Sequence, residues 1–293
     1  MIWPTTLGKQ RGPNTVLTVS GVNKTFSGII ALDDVSLTVE SGERVGLIGP
    51  NGAGKTTLFN CLSGILRPDA GRVELNGVDV TGHRVHKRAQ AGMGRTFQRI
   101  ELFSDTTVRE HLLIAERVRN GSGAFWKDLL GRGRPTDAEV SACDAVLELL
   151  GLADVAEVPI ESLSLGQGRL VEVGRALMTD PQILLLDEPS SGLDREETNA
   201  LAATLGAIQN ERGFAILLVE HDVELVAEFT TRLYVLDFGQ LIAHGPTTET
   251  LASPEVRNAY LGSAGAADGA ADPGGAGGAF AADSAADSDG GER

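Results

Sequence analysis

Gly49-Pro50-Asn51-Gly52-Ala53-Gly54-Lys55-Thr56 follows the apolar run 44–48 and precedes a helical pattern. The stretch fits G-x-x-x-x-G-K-[ST], and a position between strand and helix is the context that motif requires. Glycines let the backbone wrap closely round phosphates with its N–H groups pointing inward. The helix that follows turns its positive N-terminus towards the same anion. Lys55 is then placed to reach β- and γ-phosphates, and the Thr56 hydroxyl to ligate Mg2+. The eight residues and the adjoining Thr57 are therefore expected to contact a nucleoside triphosphate at the edge of an α/β sheet.

Outward from this loop, short β-like runs alternate with helical stretches. Strands are expected at 16–20, 35–40, 44–49, 72–75, 183–187, 215–219 and 232–236. Three of these runs are continuously apolar, which fits strands covered on both faces of a parallel sheet. Alternation in 35–40 fits a half-exposed antiparallel strand. The run Ile183-Leu184-Leu185-Leu186 ends in Asp187 and Glu188, where an α/β sheet presents its site. Downstream of a P-loop, Asp187 is placed for the Mg2+ shell and Glu188 as general base towards an attacking water.

The centre of the chain, 107–177, reads as helical. Thr107 with Glu110, and Thr136 with Glu139, have capping-box spacing. Val140, Cys143, Leu147 and Leu150 recur on one helix face before the stop at Gly151. Residues 120–135 are rich in Gly and Arg and read as an insertion loop, with Trp126 packing it onto its own domain. Residues 263–293 contain eleven Ala, eight Gly and six acidic residues against one basic residue, Arg293. Such a tail cannot bury enough surface to offset its ordering entropy and is expected to be disordered, as is a flexible leader over 1–15.

The 293 residues carry 40 acidic and 25 basic side chains, a net charge of −15. A chain this acidic is a poor general binder of nucleic acid. Its two cysteines, Cys61 and Cys143, make no disulfide scaffold and fit a reducing compartment. Its longest apolar runs fall far short of the ~20 residues that cross a bilayer. No secretory signal or lipidation pattern is visible, so a cytoplasmic location is expected, with any membrane role reached through partners. His83 and His86 lie among Arg84, Lys87 and Arg88, a basic run expected on the solvated face of a surface helix. Cys61 is expected in the core, His111 and His244 are read as ordinary, and no cluster has zinc-ligand spacing.

The motifs resemble those of ATP-binding cassette (ABC) proteins over about 16–262. Leu163-Ser164-Leu165-Gly166-Gln167 looks like the family's signature motif, and Ser190-Ser191-Gly192-Leu193-Asp194 like its D-loop. His221 sits where the family has a switch histidine, Gln98 where it has the Q-loop glutamine, and Phe26 where an aromatic stacks on adenine. The resemblance implies a P-loop NTPase of the α/β class. It has a mixed sheet core, an antiparallel β subdomain and a helical subdomain inserted at about 100–178. It further implies ATP and Mg2+ as cofactors, with Thr56, Gln98 and Asp187 at the metal. Glu188, His221, Gln98 and Lys55 are the implied catalytic groups. Ser164, Gly166, Gln167 and Asp194 are implied to act in trans, on the site of a second cassette. Leu165 and Gly168 depart from the usual signature and leave Ser164 and Gly166 intact; Phe26 replaces a usual Tyr and keeps a stacking ring.

Gly94-Arg95-Thr96-Phe97-Gln98, Leu102-Phe103, Glu220-His221-Asp222 and Ala259-Tyr260-Leu261-Gly262 look like the ATP-binding subunits of branched-chain amino acid importers. That resemblance implies a peripheral ATPase on the cytoplasmic face of the membrane. Its partners are a second cassette, two multi-span permease subunits and, indirectly, an extracytoplasmic binding protein, with no nucleic acid. The alternatives are a urea or amide importer, an exporter or lipid-transport ATPase, and a soluble ABC ATPase. The last usually carries two cassettes per chain or long coiled-coil insertions, and neither is visible.

Overall fold

The computed structural model describes residues 15–96, 106–119 and 135–267. Strands β1 (Thr15–Phe26) and β2 (Ile29–Glu40) form one long hairpin, turning at Ser27 and Gly28 with φ of 48° and 87°. The expected strands at 16–20 and 35–40 are its two far ends. The Gly21 and Gly28 breaks in the apolar alternation obscure the rest, and the register shifts that accompany them are real irregularities in the ladder. With β4 (Ala70–Leu75) and β5 (Val78–Asp79) the hairpin makes a four-stranded antiparallel sheet, ordered β2-β1-β4-β5.

The second sheet has six strands. They are β3 (Arg44–Ile48), β6 (Met93–Arg95), β7 (Ile183–Asp187), β8 (Ala215–Val219), β9 (Arg232–Asp237) and β10 (Gln240–Pro246), in the order β10-β9-β3-β8-β7-β6. Neighbours from β9 to β6 are parallel and β10 alone is antiparallel. Parallel strands all end at one edge, so the residues after β3, β7 and β8 meet there.

Period-two geometry divides each central strand between two cores. Ile183 and Leu185 face the antiparallel sheet and helix α1 (Lys55–Ser63), beside Val45, Leu47, Leu58 and Phe59. Leu184 and Leu186 face the opposite core, with Ile216 and Leu218. Helices α3 (Val108–Arg119), α4 (Asp137–Leu149), α5 (Leu165–Leu177) and α6 (Arg195–Arg212) cover that second face with α7 (Val223–Phe229). Burying each such aliphatic side chain contributes roughly 1.5–3 kcal/mol. This two-sided cover is why the central runs lack alternation in sequence.

The helical centre is several pieces, because Gly151 and Pro159 interrupt it with short 3-10 turns at Ala153–Val155 and Ile160–Ser162. Capping boxes close at both expected places: Thr107 with Glu110, and Thr136 with Glu139. Cys143, Leu147 and Leu150 are buried as the helix face requires, Val140 is half-buried, and Ala142 and Val146 widen the stripe. Residues 120–134, with Trp126, lie outside the described residues. The final helices are α8 (Thr247–Ala252) and α9 (Pro254–Ala267). The tail expected to be disordered from 263 is corrected at its start, because helix α9 runs on to Ala267; residues 268–293 and the leader before 15 lie outside the described residues.

The basic run is corrected too. In α2 (Val85–Gln90), His86 and Lys87 are exposed, but Arg88 is turned inward and only 1% exposed. Its guanidinium donates to the carbonyls of Cys61, Leu62, Thr81 and His83. Those of Cys61 and Leu62 belong to the last turn of α1, where a cation satisfies orphan carbonyls and opposes the negative end of the helix dipole. A charge pattern along a short helix does not report this, because the acceptors are backbone.

Candidate active site

The glycines of 49–54 are required by close approach as much as by conformation. A Cβ on Gly49 would fall 2.0 Å from the Leu236 carbonyl oxygen of β9. Gly54, at φ 105°, has the Ala31 carbonyl oxygen of β2 at 2.5 Å from the same position. The loop is thus wedged between the two sheets and fixed by Gly239 N–H donating to Ala53 O at 2.9 Å. Lys55, the first residue of α1, is 6% exposed. Its Nζ donates to Gly49 O at 2.6 Å and Pro50 O at 2.8 Å. Burial pulls the Lys55 amine below its ordinary value, while the charges of Glu188 and Asp187 oppose that shift. Thr56 is exposed on the first turn of α1, and Thr57 is half-buried.

Asp187 ends β7 and is 3% exposed. Burial raises its carboxyl above the usual range, and the Arg95 guanidinium, 3.9 Å away, opposes the shift. Arg95 is itself held to the P-loop helix: Nη1 donates to Ser63 Oγ at 2.6 Å, Nη2 to Asn60 Oδ1 at 3.2 Å, and the guanidinium lies 4.7 Å from the Phe59 ring centre. Glu188 sits in the left-handed region at φ 48°, and its N–H donates to Val219 O at 2.8 Å. That conformation turns its carboxylate across the strand ends, where Oε1 lies 2.8 Å from His221 Nε2. Strained backbone of this kind persists where its surroundings over-determine it.

The structure therefore brings the 49–57 loop, Asp187, Glu188 and His221 to one edge of the parallel strands. Arg95 and Glu220 belong to the same edge, although no phosphate-binding or metal-binding motif contains them. Position alone gave no signal for Glu220, since an acidic residue after a buried strand is ordinarily exposed unless paired.

Phe26 occupies the far end of β1, 43% exposed, with Lys24 Nζ 5.4 Å from its ring centre. Ser164, Gly166, Gln167 and Asp194 form a different cluster. Ser164 caps α5, accepting from Gln167 N–H at 3.2 Å, while Gln167 Oε1 accepts from Ser164 N–H at 3.0 Å. Asp194 caps α6 by accepting from Glu197 N–H at 2.8 Å. A Cβ on Gly166 would stand 3.4 Å from Glu197 Oε1, and the Leu165 side chain lies over Gly192. Arg169 Nη2, on α5, donates to Ser191 O at 3.1 Å, which ties this cluster to the chain that follows Glu188. Gln98 lies outside the described residues.

Among the described residues no three His, Cys, Asp or Glu side chains converge as a metal cage. A buried carboxylate and a hydroxyl are hard oxygen donors, and they fit Mg2+, which keeps water and phosphate oxygens in its shell.

Residues 32–191 match the family profile described as ABC transporter. The chain is 38% identical over 253 residues to the high-affinity branched-chain amino acid transport ATP-binding protein BraF of Pseudomonas aeruginosa, covering 85% of this chain and 98% of that protein. It is 38% identical over 252 residues to LivG of Escherichia coli, which bears the same description, at the same coverage. Among solved structures it is similar to the ADP conformation of MJ1267, an ATP-binding cassette of an ABC transporter. The TM-score is 0.76 at 33% identity, covering 85% of this chain and 99% of that one.

Proposed function

Because the chain belongs to the ABC transporter family, we propose that it is the ATP-hydrolysing subunit of an importer for branched-chain amino acids. The observation that carries the catalytic part is the Glu188–His221 contact beside Lys55 and Asp187, at the ends of adjacent parallel strands. The relatives' names and full-length coverage support the substrate.

In this reading the backbone of Gly49, Pro50, Asn51, Gly52, Ala53 and Gly54 encloses the β-phosphate. Lys55 exchanges its bonds to Gly49 and Pro50 for phosphate oxygens. Thr57 adds a contact from the first turn of α1. Phe26 stacks on adenine. Asp187, Thr56 and Gln98 hold Mg2+, which supplies neutralisation of the polyphosphate charge. Glu188 accepts a proton from water as the water oxygen bonds to the γ-phosphorus. The bond from that phosphorus to the bridging oxygen breaks, giving ADP and inorganic phosphate. His221, bonded to Glu188, orients the carboxylate, and Gln98 assists at the attacking water.

Ser164, Gly166, Gln167 and Asp194 complete the site of a second cassette, so that ATP joins two chains and hydrolysis parts them. Among the described residues no helix is long and apolar enough to cross a membrane. Transport then requires two multi-span permease subunits at the cytoplasmic face, fed by an extracytoplasmic binding protein. Disruption of this gene should abolish high-affinity leucine, isoleucine and valine uptake and leave urea uptake intact. The converse pattern overturns the substrate, and purified protein without Mg2+-dependent ATP hydrolysis overturns the enzyme.

A further inference from the structure

Glu220 is a charged side chain only 2% exposed, in the first position after β8. Its two oxygens serve two different loops. Oε1 accepts from the N–H of Ser190 at 2.9 Å and from its hydroxyl at 2.6 Å. Oε2 accepts from the N–H of His221 at 3.0 Å. One of these loops carries Glu188 and continues to Asp194; the other carries His221. They also touch directly, through Glu188 N–H to Val219 O and through His221 Nε2 to Glu188 Oε1.

We propose that Glu220 is a positioning residue that locks the Ser190 loop to the His221 loop and so sets the Glu188–His221 geometry. The proposal rests on the hydrolytic reading of the site given above. A buried carboxylate repays its desolvation only through several good hydrogen bonds, and all three donors here come from the two segments it joins. No neutral side chain of the same shape does this. A glutamine offers one acceptor oxygen, so its NH2 group must face either the Ser190 donors or the His221 N–H, donor against donor. An aspartate, shorter by one methylene, does not span both loops. The contacts hold the residues around the attacking water and touch neither phosphate nor base, so the effect falls on turnover and spares binding.

Glu220→Gln in the full chain should lower kcat by about 10-fold, at the lower end of what outer partners of a site contribute. The dissociation constant for Mg-ATP should stay within about twofold. Ser190→Ala removes one donor to the same carboxylate and should cost about threefold alone and nothing further in the Glu220→Gln background. The chain has five histidines, so the His221 ring signals are resolvable by NMR and assignable by their loss in His221→Gln. In Glu220→Gln they should move while those of His83 and His244 stay. Unchanged kcat, a parallel loss of ATP affinity, additive effects of the two substitutions, or an unmoved His221 signal would each overturn the proposal. If wild-type protein binds ATP without hydrolysing it, the hydrolytic reading fails, and the NMR result still decides whether Glu220 holds His221.

Discussion

The strand-end site and the cluster round Ser164 satisfy their polar groups in different ways. Lys55, Asp187 and Glu220 are buried; Asp187 and Glu220 meet Arg95 and Ser190 from elements distant in sequence, while Lys55 folds back onto Gly49 and Pro50 of a loop wedged between the two sheets. Ser164, Gln167 and Asp194 bond to residues three positions away, in exposed helix caps. The first region is fixed by the whole fold. The second is a pair of helix N-termini, each capped by a box within its own first turn. Such a division suits a protein in which one region binds its own phosphate and the other is presented to a second copy.

The sharpest test of that division removes one group from each side. Glu188→Gln should reduce turnover by about 10²–10⁴, the usual contribution of a general base, and keep ATP binding. Light scattering should then find a dimer that persists with Mg-ATP. Ser164→Ala loses a donor to a charged oxygen and should reduce turnover by about 10- to 100-fold. Removal of its cap costs α5 about 1 kcal/mol, which a melting curve reads separately. Mixing the two impaired variants is the decisive measurement. If Ser164 serves the partner's site, a mixed dimer contains one complete site and hydrolysis returns. If both residues serve one site within a chain, mixing restores nothing.

What the sequence made legible follows the same division. Residues 44–56 and 183–188 could be read because a doubly covered strand leaves a continuous apolar run and a phosphate loop needs glycines at fixed spacing. The caps at Thr107 and Thr136 are local, so three-residue spacing suffices to find the contacts. Arg95, Arg88 and Glu220 escaped because their acceptors or donors lie 27 to 35 residues away, or are backbone atoms with no sequence identity. The ends of the hairpin were found and its middle missed, since irregular register breaks period two.

Arg88 measures how far the phosphate-loop region depends on such distant contacts. Arg88→Met keeps the aliphatic stem and strands buried carbonyls of Cys61 and Leu62 at the end of α1. It should cost about 2–3 kcal/mol, since each orphaned buried group costs roughly 1–3 kcal/mol. In a folded unit of this size the melting temperature should then fall by about 5–10 °C. An unchanged melting temperature would mean that α1 is closed by other partners, and that the strand-end region is less dependent on distant contacts than the comparison holds.

The mildest perturbation reads both regions at once, through a buried cysteine in each. Cys61 lies on α1 and Cys143 on α4, both fully buried. Burial pushes the Cys61 thiol up from 9.0 to about 11 and the Cys143 thiol up to about 12. At pH 8 the native protein therefore holds about a hundredfold less Cys61 thiolate than an ordinary thiol, and the thiolate is the reactive form. Both raised values stabilise the fold fully below pH 9, and that stability is lost as pH rises through the folded values. Iodoacetamide at pH 8 should accordingly label neither residue in the closed state, so each labelling rate reports local opening round its own helix. Mg-ATP bound at the phosphate loop should slow Cys61 several-fold and leave a monomer's Cys143 within about twofold, because a ligand raises the opening cost only of the region it holds. Equal protection of both thiols at concentrations too low for dimers would show that the helical region closes on the nucleotide of its own chain, and the division drawn between the two clusters would fail.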